Sequence, residues 1–451
     1  MITPSYKKNG KPNARASYRP ISQTGIISKL LERIISERMK SFLASNGLIS
    51  KDQHGFLNKK STETNMLNFC DDLTSYLDDK KSADVLYLDL EKAFDKVSHH
   101  KLIYILKTLG IGGKLLQWLQ AYLVGRKQCV RVNNSFSENV EVTSGIPQGT
   151  ILGPLLFIVF VNNVPDSCKN SEIKLYADDS KLYKKIENSD DAALLQMDFS
   201  SVVEYLTDWQ LSVNSSKTEL LHIGRINPGH PYVINQSEIS PSIVCRDLGF
   251  LMSNDMSFGA HYSKLIRNSS FRLKQFRLSF LSKDRNFLIF LYTTYIRPIL
   301  ESGSVIWSPH YLQDIDRLEN VQRNFTKYLA GLYNLSYQDR LTVLNLHSLE
   351  SRRIYFDLIM TYKIINNLID LNFDDFFAFS NSCTRGHSLK LNINYSRINC
   401  RKYFFSNRVV PIWNSLSEDI VTSRNLLAFK NKIYVFDVSA FCRGRAYTVQ
   451  N

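Results

Sequence analysis

Apolar positions recur at helical spacing in several stretches of the chain. Leu30, Leu31, Ile34, Ile35, Met39 and Phe42 predict a helix over 28–44 with these residues as its apolar stripe, and Gly47 lies just past its end. A second helix is expected over 61–78. Val85-Leu86-Tyr87-Leu88 is a short run of strand formers that ends at Asp89. A helix starting near Ser98 carries Leu102, Ile105, Leu106 and Leu109 and stops at Gly110, and another covers 114–123. Residues 128–132 and 137–142 predict the two strands of a hairpin around Asn133-Asn134. A Gly/Pro loop over 144–149 leads into a very apolar helix beginning near Pro154. Strands are expected over 173–177 and 181–186, joined at Asp178-Asp179-Ser180, followed by a helix over 192–206. Beyond about residue 260 the pattern is mainly helical; over 314–331, Ile315, Leu318, Val321, Phe325 and Leu329 share one face. Residues 1–22, broken by Pro4, Gly10, Pro12 and Pro20, read as a basic loop. Irregular alternation of strands and helices suits an α+β sheet domain better than a βαβ repeat.

Composition adds bounds. A chain of 451 residues, 44% hydrophobic and 22% charged, is globular and long enough for two or three domains. The net charge of +14 is uneven: residues 1–260 hold 30 Lys+Arg and 28 Asp+Glu, and residues 261–451 hold 26 and 14, which sum to the chain's 56 and 42. Such a basic second half points either to a polyanionic partner or to a soluble surface. Seven scattered cysteines with no CxxC or Cys/His spacing exclude a disulfide framework and a structural zinc site as expectations, and fit a reducing compartment. The N-terminus has no apolar signal core, and the longest apolar run, Leu155 to Val161, is far too short to span a bilayer.

Candidate chemistry rests on carboxylates. Asp89 ends an apolar strand, and Asp178-Asp179 lies where two apolar strands meet. Adjacent residues of a regular strand face opposite ways, so a turn is what lets neighbouring aspartates serve one site. Like charges this close repel unless cations or donors compensate. A pair of Mg²⁺ ions, with a preference for hard oxygen ligands, would do so. Taken alone, an Asp-Asp pair at a hairpin reads as a solvated turn.

The ordered motifs narrow these alternatives. Asp89-Leu90-Glu91-Lys92-Ala93-Phe94-Asp95 precedes Ser144-Gly145-Ile146-Pro147-Gln148-Gly149, then Tyr176-Ala177-Asp178-Asp179, then Val213-Asn214-Ser215-Ser216-Lys217-Thr218-Glu219. Tyr18-Arg19-Pro20-Ile21-Ser22, Gln53-His54-Gly55-Phe56, Leu248-Gly249, Val305-Ile306-Trp307-Ser308-Pro309, Leu318-Glu319-Asn320-Val321-Gln322-Arg323 and Arg352-Arg353 flank them. This set resembles the reverse transcriptases of non-LTR (LINE-type) retrotransposons, the jockey group most closely, over nearly the whole chain.

The resemblance implies a right-hand polymerase: fingers, a palm with an antiparallel sheet, and a thumb, followed by a mainly helical C-terminal region. Residues 1–252 would form fingers and palm, 253–335 the thumb, and 336–451 a basic region of unassigned role. It implies RNA-directed DNA polymerase activity with two Mg²⁺ ions, Mn²⁺ being an alternative. Asp89 and Asp178 would ligate both metals, with Asp179 completing the site. Lys217 would lie near the triphosphate as a proton donor to pyrophosphate. Phe94 would be the steric gate against a 2′-hydroxyl, although taken alone it reads as a core aromatic. Gln148 and Gly149 would approach the nucleotide and template base, and Arg19 with Lys7 or Lys8 would clamp the triphosphate. On a downstream helix, Lys264, Arg267, Lys274 and Arg277, interleaved with Phe271 and Phe276, would track a template–primer duplex while burying the aromatics. The implied partners are an RNA template, a DNA primer and deoxynucleoside triphosphates, with no membrane and no protein partner inferable. The implied location is intracellular, in the nucleus for integration. Relatives of this kind carry an endonuclease domain before the polymerase and a C-terminal Cys/His knuckle. Neither is visible here, so the expectation is the polymerase portion alone. The alternative is a truncated, catalytically inert nucleic-acid-binding remnant.

Overall fold

A computed structural model describes residues 1–7, 11, 13–380 and 386–444. The chain divides into two compact units. The first comprises Met1–Asn65, Asp84–Leu220 and Pro228–Pro241; the second comprises Met66–Ala83, Leu221–Asn227 and Ser242–Asn451.

A four-stranded sheet has the order Glu219–Ile223, Ser82–Leu88, Asp179–Ile186, Glu172–Tyr176. Within strand Ser82–Leu88, residues 85–88 read as an apolar run because nearly all of the strand is buried. Strands Glu172–Tyr176 and Asp179–Ile186 form an antiparallel hairpin whose last pair is Tyr176 with Asp179, so only Ala177 and Asp178 make the turn. Helices Gly153–Phe160 and Ser189–Asp208 supply buried residues to the same core. In Gly153–Phe160 every residue except Pro154 is buried, which explains its uninterrupted apolar sequence. Helices His99–Thr108 and Gly113–Leu123 match the expected spans and bury Leu102, Leu106, Leu116 and Leu119.

Three expectations are corrected in this unit. Residues 1–22 are not merely a loop, because Ile2–Tyr6 and Tyr18–Ser22 pair as antiparallel strands. Pro4 stands opposite Pro20. Lacking N–H groups, both prolines fit a position of the ladder that needs no donor. The helix, Ile26–Ser45, occupies the expected place but its buried face is turned: of the expected stripe, Met39 is buried and Ile35 packs against the core. Leu30 and Ile34 are 55% and 58% exposed, while Glu32, Ser36, Met39 and Leu43 are buried. Glu32 is drawn inward because its Oε2 accepts the N–H groups of Ile151 (2.9 Å) and Leu152 (3.1 Å) at the start of the apolar helix. The hairpin over 128–142 is broken into two short ladders, Lys127–Gln128 with Val140–Glu141 and Arg131–Val132 with Ser135–Phe136. Between them, the Cys129 carbonyl accepts from the N–H of Ile2 (2.8 Å) instead.

The second unit is helical apart from short strands such as Val244–Asp247 and Phe250–Ser253. Helix Gly259–Ser279 lies where the basic helix was expected, but Phe271 is 61% exposed; the buried positions are His261, Tyr262, Leu265, Ser269 and Leu273. Helix Leu312–Tyr328 buries the expected stripe of Ile315, Leu318, Val321 and Phe325. The downstream motifs meet in the interior of this unit. Buried Glu319 accepts from the Leu349 N–H (3.1 Å), the Glu350 N–H (3.3 Å) and the Tyr337 hydroxyl. Gln322 accepts from the Tyr292 hydroxyl (2.8 Å) and donates to the Tyr337 hydroxyl and the His347 carbonyl. Arg352 forks onto Glu301, and Arg408 binds both oxygens of Asp357. Among the described residues, Cys129, Cys168, Cys400 and Cys442 are free thiols. Among the described residues no helix is long and apolar enough to cross a membrane.

Candidate active site

The polar centre of the first unit forms around the ends of its strands. Asp89 follows Leu88 directly and is half-buried. Its carbonyl accepts the Asn214 N–H (2.8 Å), and the N–H of Glu91 donates to Ser212 (2.9 Å), so the segment carrying Lys217 is stitched alongside it. Lys217 Nζ then reaches Asp89 Oδ2 at 3.0 Å. Both side chains are open to solvent, so this pair adds little stability and is free to exchange partners.

Asp178 sits at the hairpin tip after Ala177, whose φ of +57° is left-handed. Burial raises its carboxyl above the usual carboxylate range. The charge of Asp89 raises it further, against the opposing pull of Arg19 and of a hydrogen bond to its own backbone. The charges of Asp89 and Arg19 thus act on Asp178 in opposite directions, and Lys217 pairs with Asp89. Asp179 opens the next strand and is exposed. Among the described residues no three His, Cys, Asp or Glu side chains gather closely enough to cage a metal ion. The donor chemistry nevertheless fits a hard divalent cation, which would offset the burial and the repulsion that lift Asp178. Lys8 lies outside the described residues.

The turn is clamped from outside. Gln53, fully buried, accepts the N–H groups of Gly55 (2.7 Å) and Ala177 (3.0 Å) on its Oε1. The N–H of His54 donates to the Leu175 carbonyl, and the N–H of Leu175 to that of Asp52 (both 2.9 Å). Gly55 has no room for a side chain, since a Cβ there would stand 2.6 Å from the Ala177 nitrogen. Sequence reading named Gln53-His54-Gly55-Phe56 as a motif and assigned it no role; the contacts supply one.

His54 is pushed down to about 3, mainly by burial and then by Lys60, Lys174 and Lys181. An unfolded histidine titrates near ~6.5. The folded state therefore keeps His54 neutral while the unfolded state takes up a proton, and stability falls as pH drops from the unfolded value towards about 3. Between pH 7 and pH 5 this residue is expected to remove about 2 kcal/mol. Urea unfolding at the two pH values should show that loss, and His54→Gln should reduce it by about the same amount. An unchanged pH difference in the variant would refute the assignment.

A second cluster holds the glycine-proline loop. Phe94, half-buried, stacks on Phe157 with ring centroids 4.5 Å apart. The N–H groups of Gly145 and Ile146 donate to the carbonyls of Val97 and Phe94, each at 2.8 Å. Gly145 adopts φ +90° and lies so near Asp95 that a Cβ would meet its carbonyl oxygen at 2.7 Å, so glycine is required on both counts. The Gly145 carbonyl accepts from His99 Nε2 (2.8 Å) and from Arg126 (3.3 Å). The Gln148 carbonyl accepts the Ser22 N–H (2.8 Å), and Gly149 lies against Ile21, which brings the strand bearing Arg19 beside the loop. Neither His99, Arg126 nor Asp95 carried a role in the sequence reading, because contacts across tens of residues leave no local pattern.

Residues 6–272 match the family described as reverse transcriptase (RNA-dependent DNA polymerase), and the chain belongs to that family. Its sheet, with the aspartate-bearing hairpin, is the palm of a right-hand polymerase fold. The chain is 28% identical over 366 residues to the "probable RNA-directed DNA polymerase from transposon BS" and 28% over 337 residues to that "from transposon X-element", both of Drosophila melanogaster. These alignments cover 76% and 72% of this chain and 40% and 37% of the relatives. The RNA-directed DNA polymerase from mobile element jockey of Drosophila funebris is 26% identical over 70% of this chain and 36% of its own. The chain therefore spans about two fifths of the length of these relatives. A solved telomerase structure from Candida albicans, with a fragment of telomeric RNA, gives a TM-score of 0.42 at 12% identity, covering 77% of this chain and 66% of that one, a likeness too slight to bear on function.

Proposed function

We propose that this chain is the RNA-directed DNA polymerase of a non-LTR, jockey-like element, adding deoxynucleotides to a primer 3′-hydroxyl on an RNA template. The observation that carries the reading is the Lys217 Nζ–Asp89 Oδ2 pair (3.0 Å) at the end of one strand, with Asp178 at the hairpin turn that opens the neighbouring strand. Asp89 and Asp178, with Asp179 adjoining, would hold two Mg²⁺ ions, for which Mn²⁺ could substitute. When bound, such ions activate the attacking hydroxyl and stabilise the leaving pyrophosphate. Lys217 would offer its Nζ proton to pyrophosphate. Arg19 would bind phosphate oxygens. Gln148 and Gly149 would line the nucleotide. Residues 1–252 would act as fingers and palm, 253–335 as thumb, and 336–451 would extend the basic surface. RNA template, DNA primer and deoxynucleoside triphosphates are the substrates, and the reaction belongs in the nucleus.

The test is primer extension by purified protein on an RNA template with Mg²⁺ and deoxynucleotides. Product is expected. No product, with duplex binding retained, would instead identify an inert nucleic-acid binder. In an active enzyme, Phe94→Ala should improve ribonucleotide use relative to deoxynucleotide roughly 10- to 100-fold, because removing the ring opens space for a 2′-hydroxyl. Unchanged sugar selectivity would refute the gate. Phe94 stacks on Phe157, so a melting curve should accompany the assay.

A further inference from the structure

Asp95 joins the strand end that bears Asp89 to the loop that bears Gln148. The Gln148 Nε2 donates to Asp95 Oδ1 at 2.9 Å. An ionised carboxylate can only accept hydrogen bonds. The amide must therefore turn its nitrogen towards Asp95, which leaves Oε1, an acceptor, and the second N–H facing elsewhere. Chemistry alone decides this orientation.

The rest of the loop does not depend on that side chain. Ser144 Oγ donates to the backbone carbonyl of Asp95 (3.0 Å), and Gly145 and Ile146 are held by the carbonyls of Val97 and Phe94. His99 and Arg126 grip the Gly145 carbonyl from the other side. Every one of these contacts uses main chain at one end and survives truncation of the Asp95 carboxylate. The structure thus separates two jobs, in which the backbone of residues 94–97 places the loop and the carboxylate of Asp95 aims the Gln148 amide.

We infer that Asp95 is a positioning residue of the polymerase: it locks Gln148 in one amide orientation so that the acceptor Oε1 is presented to the incoming nucleotide. The kinetic part of this inference rests on the polymerase reading, whereas the orientation of the amide does not. The full chain and its Asp95→Ala, Asp95→Asn, Gln148→Ala and Asp95→Ala/Gln148→Ala variants should be compared by single-nucleotide incorporation and by spectra of ¹⁵N-glutamine-labelled protein without substrate.

Asp95→Ala is expected to raise KM for the deoxynucleotide about tenfold, with a smaller change in kcat, as loss of a charge-assisted hydrogen bond implies. Asp95→Asn, whose amide oxygen can still accept, should recover most of that loss. In the Gln148→Ala background the Asp95 truncation should have no further effect. The side-chain amide resonance that vanishes in Gln148→Ala should move in Asp95→Ala. Additive effects of the two truncations, or an amide resonance unmoved by Asp95→Ala, would overturn the inference. A wild type that fails to extend primers, but whose Gln148 resonance moves, would keep the positioning role and reject the polymerase. A wild type that extends primers with an unmoved resonance would do the reverse.

Discussion

Asp178→Asn should slow primer extension by about 10³-fold or more, since a lost metal ligand removes several kcal/mol of transition-state stabilisation. The same variant should melt no earlier than the wild type. Burial, reinforced by the charge of Asp89, lifts the Asp178 carboxyl above its ordinary value in the folded chain. A raised carboxyl stabilises the fold fully below its unfolded pKa, and that contribution fades as pH rises through the folded value. The ionised form of the side chain is thus a burden on the fold, and a neutral amide of the same shape relieves it. Catalysis and stability should move in opposite directions, a pattern that unfolding cannot mimic. Full activity in Asp178→Asn would sink the metal assignment. Loss of activity accompanied by early melting would leave the effect structural.

Asp357→Ala should destabilise the second unit by about 3–5 kcal/mol, the usual consequence of stranding one member of a buried ion pair. Asp357 is 2% exposed and takes two hydrogen bonds from Arg408, at 2.8 and 2.7 Å. Burial raises its carboxyl and Arg408 opposes that shift, so each group is tolerated only through the other. Arg408 retains the Val305 carbonyl as acceptor (2.8 Å), but a carbonyl cannot neutralise its charge. Replacing both residues by apolar ones of similar size should recover much of the loss. Urea unfolding of the three proteins measures this directly. A shift below about 0.5 kcal/mol in Asp357→Ala would show that the pair is not a structural anchor.

The legible and illegible parts of the chain divide by the range of the forces involved. Helices Gly113–Leu123 and Leu312–Tyr328 were visible as apolar periodicity because each buries one continuous face. The hairpin Glu172–Ile186 was visible because runs of strand formers flank an acidic turn. The helix Ile26–Ser45 was placed correctly and oriented wrongly. Its periodicity favours an inward Leu30 and Ile34, yet two N–H groups 119 and 120 residues away outweigh it by capturing Glu32. The strand Ile2–Tyr6 was hidden by Pro4, whose partner Pro20 makes the defect harmless. Leu318 to Arg323 stood out as a motif, but only the fold shows that Glu319 and Gln322 serve buried hydrogen bonds.

The sequence by itself determined the family and the inventory of chemistry: carboxylates at a strand end and a hairpin tip, a glycine loop and a lysine, in a fixed order. Such features are local, since strand ends, tight turns and positive φ values demand particular residue types wherever they occur. Only the tertiary structure decided which of these groups meet. It brought the charge of Asp89 to bear on Asp178, gave Asp89 to Lys217, clamped Ala177 with Gln53 and joined Gln148 to Asp95. Each of these contacts except the first is a single directional bond, of small energy and no periodicity, that closes only after the sheet and loops are already in place.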